Sequence, residues 1–176
     1  MLRKAYLIFP VLISLIAVIS ASLPWGAPVS PSLALPLLAL GVVFFWGLHR
    51  PGQLPSPLVF LFGLLTDLAT DGPLGFWSLN FLLGYAVSVY GPLVNGGRRD
   101  GFAGVLLFTV AVAAVSALGW ALTSLFFLRN MPLQPLVTGG GVALLCYPVI
   151  AFVLAPLDRA VGLALERMSS PQDDWL

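Results

Sequence analysis

Between Arg50 and Arg98 the chain carries only two charges, Asp67 and Asp71, and they sit four residues apart in FGLLTDLATDGPLGFWSLN. The rest of that stretch is apolar, small or uncharged polar. Of 176 residues, 59% are hydrophobic and 9% are charged. Soluble domains carry about 25% charged residues. Burial of the chain against itself cannot absorb this apolar excess, so much of it must face lipid. The apolar runs show no alternation with polar residues. A barrel strand needs that alternation and a spanning helix does not, so the expected class is an all-α polytopic membrane protein.

Six spans are expected, at about residues 5–23, 32–48, 57–70, 73–94, 102–128 and 136–155. Proline and glycine mark the breaks: Pro24, Pro28 and Pro31; Pro51-Gly52; Gly72-Pro73; Gly96-Gly97; Pro132 and Pro135; Pro156. The first run, Ala5 to Leu23, follows a basic start like that of a secretory signal. It is longer than the roughly 7–15 residues of a signal core and reads as a retained span. The third run is short, and a re-entrant segment is its alternative. With the N-terminus inside, the inner segments hold Arg3, Lys4, Arg50, Arg98, Arg99, Arg159 and Arg167, and the outer loops hold only Arg129. That asymmetry follows the positive-inside rule and favours six spans with both termini inside. Residues 1–168 then form one six-helix domain. Residues 157–168 place Leu157, Val161, Ala164 and Met168 on one helical stripe, which suggests a short interfacial helix. Residues 169–176 read as a loose inner tail.

In this topology Asp67 falls in the last turn of the third span, where a carboxylate opposes the helix dipole. It needs donors. The candidates are the N–H groups opening the fourth span, Ser78, or Asn80. Asp71 precedes Gly72-Pro73 and is expected beside the free N–H groups of the fourth helix. Two readings of Asp67 stand open. It ties spans three and four together, or it lines a site for a partner helix, an ion or a ligand. Gly63, Gly75, Gly84, the Ala113/Ala117/Ala121 series and Gly139/Ala143 have spacings that permit close helix contact, with packing inside this chain the simpler use. Trp25, Trp77 and Trp175 are expected at the membrane interfaces. His49 is assigned to headgroup level. Arg50, Arg98 and Arg99 are cytoplasmic-face candidates, topogenic or in contact with anionic lipid or a cytoplasmic partner.

No nucleophile elbow, phosphate loop or dinucleotide fingerprint occurs. One His and one Cys do not make a usual metal cage, and Cys146 alone forms no intramolecular disulfide. The expectation is a non-enzymatic protein without cofactor, metal or nucleic-acid partner.

The order of segments resembles the bacterial rod shape-determining protein MreD family. A first span ends in LPW, and an apolar span closes FFWGLHRP with Phe45-Trp46. Next come GLLTDLATDGPLG, which carries Gly63-x-x-x-Asp67 and Pro73-Leu74-Gly75, then Gly84-Tyr85 and the basic loop NGGRRD. The likeness covers about residues 1–100, and the last two spans agree in hydropathy and length. It implies a multi-pass protein of the bacterial inner membrane that belongs to the elongation machinery of the lateral wall and maintains rod shape. The implied partner is the single-span protein MreC, with MreB, RodA and a class B penicillin-binding transpeptidase in the wider complex. The implied fold is similar to the six-helix substrate-binding subunits of energy-coupling-factor vitamin transporters, which makes a solute-binding transporter subunit the alternative. Such a subunit needs several polar side chains facing a pocket. The outer half offers Asp67, Asp71, Ser78 and Asn80, whereas small-residue grooves for a partner helix are plentiful. The expected partner-binding or hinge residues are Asp67, Asp71, Gly72, Pro73, Gly75 and Asn80.

Overall fold

The computed structural model describes residues 2–23, 34–94, 96–97, 101–126, 128 and 132–169. Among the described residues there are six α-helices and no strands: α1 (Leu2–Ser22), α2 (Ala34–His49), α3 (Ser56–Ala69), α4 (Phe76–Val94), α5 (Gly101–Phe126) and α6 (Gln134–Ser169). Each lies on one of the expected apolar runs, with two differences at the ends. The fourth helix begins at Phe76, not Pro73, because Pro73, Leu74 and Gly75 form a turn closed by the Phe76 N–H donating to the Pro73 carbonyl at 3.1 Å. Residues 157–168 are helical but do not form a separate element. They continue α6 through Pro156 without a break. Residues 170–176, most of the expected tail, lie outside the described residues, as do Trp25 and Trp175.

The apolar content of α2 decides the packing. ALPLLALGVVFFWGLH has no polar face, and a helix hydrophobic all round belongs inside. Twelve of its 16 residues are buried, and α2 packs against α1, α4 and α6 and touches α5. α3 packs on α1 and α4, α4 on α5, and α5 on α6, with α6 returning to a narrow contact with α1. Phe44 and Trp46 of α2 point to different walls. Phe44 meets Phe108 of α5 and Tyr147 of α6 edge-on, with ring centroids 5.1 and 5.6 Å away. Trp46 meets Phe9 of α1 at 5.8 Å. One residue further, Gly47 leaves room for α4: a Cβ there would lie 2.9 Å from the Tyr85 ring and would collide with the Ser88 hydroxyl.

Tyr85 in turn pins the α2–α3 connection. Its hydroxyl donates to the carbonyl oxygens of Pro51, at 3.1 Å, and of Leu54. Pro55 caps the start of α3 with its carbonyl, accepting from the N–H groups of Leu58 and Val59. A run of prolines that lacks donors is suited to a helix start, where N–H groups have no intrahelical partner.

Two helical stretches, Gly101–Phe126 and Gln134–Ala160, are long and apolar enough to cross a membrane. Ile8–Ser22, Ala34–His49 and Ser56–Ala69 are apolar and shorter. Leu145, Val149 and Phe152 on α6 and Phe102, Leu106 and Val110 on α5 are exposed.

Candidate functional site

Gly63 and Asp67 are four residues apart on α3, hence on one face. Gly63 sits where α3 and α4 cross. A Cβ there would overlap the backbone of Trp77 and Ser78, so the two main chains touch only because Gly63 has no side chain. One turn later the Asp67 side chain reaches the start of α4. It is 1% exposed. Its Oδ1 accepts from the Trp77 N–H at 2.7 Å. Its Oδ2 accepts from the Gly75 N–H at 2.8 Å, the Ser78 N–H at 3.4 Å and the Ser78 hydroxyl at 3.2 Å.

These backbone donors belong to the residue before α4 and to its second and third residues. They are the N–H groups that a helix leaves without intrahelical partners. Their usual acceptor is a side chain at the helix's own N-cap, but that position here is Gly75, which has none. Asp67 supplies the cap from the neighbouring helix. Its negative charge at the α4 N-terminus is favoured by the α4 dipole, and this offsets its unfavourable place in the last turn of α3. Gly75 has φ +94°, a conformation that favours glycine.

Asp71 is placed differently from its sequence expectation. It is exposed and does not cap α4. It has φ +51° and occupies the left-handed position that ends α3. The Gly72 N–H donates to the Asp67 carbonyl at 3.3 Å, the 6→1 bond of a Schellman-type ending. Aspartate tolerates this conformation better than most side chains, though less well than glycine. Asp67 thus holds both sides of the turn, α3 through its carbonyl and α4 through its carboxylate.

Pro73 and Gly75 line a cleft of about 420 Å³ with Gly72, Leu74, Leu122 and Phe126 on the flank facing the end of α5. Asn80 is buried and takes no part in holding Asp67: its Nδ2 donates to the Phe76 carbonyl at 2.8 Å. Trp77 is also buried, at 6% exposure, edge-on to Phe76 and Phe81. It is a core residue and does not form part of an interfacial belt, because the bond of its N–H to Asp67 draws the first turn of α4 into the bundle.

Arg50 lies at the opposite end of α3, just after α2. Its Nε donates to Asp158 Oδ1 at 3.1 Å, and its terminal nitrogen Nη2 donates to Oδ2 at 3.2 Å. The side chains are 36% and 15% exposed. The pair fastens the C-terminal part of α6 to the end of α2. Nothing in the sequence matches Arg50 with a residue 108 positions away. The available signal is only that both residues are assigned to the inner side. His49 Nδ1 lies 3.0 Å from the Phe45 carbonyl, and its ring stacks on Phe45. Arg98 and Arg99 lie outside the described residues.

The small residues divide. Gly63, Gly84, Gly139 and Ala143 are buried, and a Cβ on Gly84 would lie 2.7 Å from Leu40. Ala113, Ala117 and Ala121 are exposed. Ala113 and Ala117 line an apolar groove between α5 and α6 with Gly140 and Trp120. No cluster of His, Cys, Asp and Glu able to hold a metal occurs among the described residues.

Comparison with known proteins finds no matching family model, no matching curated protein and no matching solved structure.

Proposed function

We propose that this chain is a non-enzymatic membrane scaffold of the MreD type. It crosses the bacterial inner membrane six times with both termini inside. It docks an MreC-like single-span partner within the machinery that elongates the wall. The observation that carries this reading is the Asp67 cap. All four donors facing the carboxylate come from the chain itself, so the one buried acid among the described residues is committed to architecture and not to an ion or a substrate. The cap stiffens a turn that presents Pro73 and Leu74, the latter 72% exposed, beside the cleft.

The apolar faces of α5 and α6 support the membrane placement, since exposed side chains such as Leu145 and Phe152 would be costly in water. The Arg50–Asp158 pair also fits, because it keeps both charges together at the end assigned to the cytoplasm. A fold like that of the vitamin-binding transporter subunits is part of the proposal. A solute-binding role is less favoured, because the cleft is lined largely by apolar side chains and Asp67 is turned away from it.

The experiment is co-expression with the MreC-like protein of the same genome, followed by detergent purification and size-exclusion chromatography. A co-eluting complex that Leu74→Arg weakens, while the free protein stays folded, is the expected result. Co-elution with an ATPase-linked transmembrane subunit, or a small molecule retained in the cleft, would replace the scaffold by the transporter subunit.

A further inference from the structure

The two sides of the bundle differ in apolar height. α3 has 14 residues, from Ser56 to Ala69. At 1.5 Å per residue it is about 21 Å long, against about 30 Å for the hydrocarbon core of a bilayer. Irregular chain fixes both of its ends. The turn before it exposes Gly52, and the turn after it exposes Thr70, Asp71, Pro73 and Leu74. Exposed irregular backbone does not occur in hydrocarbon, and Asp71 adds a charge at the outer end. Hydrocarbon beside α3 therefore ends at these two turns. Between them Phe60, Leu61, Leu65 and Leu68 are exposed and apolar, while α3 packs on α1 and α4.

The other side is taller. α5 runs 26 residues, about 39 Å, from Gly101 to Phe126 without a charge. Contacts set the stagger of the inner ends. The Tyr85 hydroxyl donates to the Pro51 and Leu54 carbonyls, which puts the turn before α3 on the level of Tyr85. From Tyr85 to Val94, α4 continues about 13 Å further inward. On the way Gly91 meets Leu107 of α5, where a Cβ would stand 2.7 Å from the leucine, so the first turn of α5 lies further in again. Leu93, Val94 and Phe102 on this inner step are strongly exposed. Such side chains call for hydrocarbon well inward of the level at which α3 begins.

We infer that the exposed face of α3 is a lipid surface that thins the bilayer beside it, to a hydrocarbon layer about 9 Å thinner than an ordinary one. A long span fits by tilting, which only shortens a short one. A short span is met by thinning, by flanking side chains that reach out to the surface, or by association. α3 contains no Lys or Arg, and Arg50 before it is held by Asp158 of α6. Association between membrane helices favours small residues at the contact. The exposed face of α3 is built from large ones, and its glycine, Gly63, already faces α4. Thinning remains. The inference rests on the membrane-spanning placement proposed above and not on the scaffold role.

Spin-label depth measurements on the full chain in dioleoylphosphatidylcholine vesicles test it. Single cysteines replace Pro57, Leu61 or Leu68 on α3, and Leu106 or Ala117 on α5, in a Cys146→Ser background. Pro57 and Leu68 have the same sequence separation as Leu106 and Ala117. The expected result is headgroup depth at both 57 and 68, free access of oxygen at 61, and hydrocarbon depth at both 106 and 117. If 57 or 68 lies as deep as 106, the bilayer keeps its ordinary thickness and the inference fails. If 61 is shielded from oxygen, a protein surface covers α3 and the inference fails as well. Water access at both 106 and 117 would overturn the membrane placement, and the inference with it. Gly52→Cys and Thr70→Cys, in the same background, probe the two turns without a label on the lipid face, and the space beside Gly52 is open. Both should react with a water-soluble maleimide present on both sides of the vesicles, and protection of either overturns the inference.

Discussion

At the α3–α4 turn a carboxylate is buried with no ion-pair partner among the described residues. At the other end of α3 a carboxylate and a guanidinium meet while both remain in reach of solvent. Asp67 is 1% exposed and takes four donors from the start of α4 and the residue before it. Asp158 takes Arg50, whose side chain is 36% exposed. A formal ion pair is the more conspicuous feature, yet the unpaired acid should matter more. Solvent screens a half-exposed pair and flexible side chains lose entropy in forming it. A buried carboxylate that satisfies several backbone N–H groups leaves all of them unpaired when it is removed. Burial and the number of dependent partners rank these sites, and the count of opposite charges does not.

The sharpest break of that ranking uses Asp67→Ala. It strands the N–H groups of Gly75, Trp77 and Ser78 in a buried crossing, and should cost about 3–4 kcal/mol. Unfolding in detergent, followed by circular dichroism, would read it. Asp67→Asn keeps one oxygen for Trp77 but turns an amide NH2 toward the other donors, so its loss should fall between those of wild type and alanine.

Gly63→Ala comes next. The added methyl meets the main chain of α4, which cannot yield as a flexible side chain would, so a loss of about 1–3 kcal/mol is expected. It should be accompanied by loosening at Trp77, visible as a red shift in tryptophan emission. At the opposite end, a double-mutant cycle on Arg50→Ala and Asp158→Ala should give a coupling of about 0.2–1 kcal/mol that weakens in high salt. A coupling larger than the Asp67 effect would reverse the comparison. The smallest expected effect is a gain. Asp71→Gly relieves a left-handed aspartate and removes a negative charge from the C-terminal end of α3, for about 0.5–1 kcal/mol of added stability in the same melts.

Helix placement was legible because apolar runs and Pro/Gly breaks are local signals. The start of the fourth helix is not local: Pro73 resembles a first helical residue, and only the tertiary reach of Asp67 selects Phe76 instead. The Gly63-x-x-x-Asp67 spacing was visible, and so was the need of Asp67 for donors at the head of α4. The division of labour between the two acids was not. Asp71 stands next to Gly72-Pro73 in sequence and looked like the local cap, but the chain reverses at Asp71 and carries it out to solvent. Trp77 resembled an interfacial anchor for the same reason: its position near a helix end is local, whereas its burial is set by the crossing at Gly63. The Arg50–Asp158 pair spans 108 residues, and no periodicity links its members.

Amide hydrogen exchange at the first turn of α4 tests the central claim most directly, namely that Asp67 caps α4 from the neighbouring helix. Compared with wild type, Asp67→Ala should accelerate exchange at Trp77 and Ser78 strongly and leave the centre of α2 protected. Unchanged protection at Trp77 and Ser78 would contradict the account, since those N–H groups would then hold without the carboxylate assigned to them.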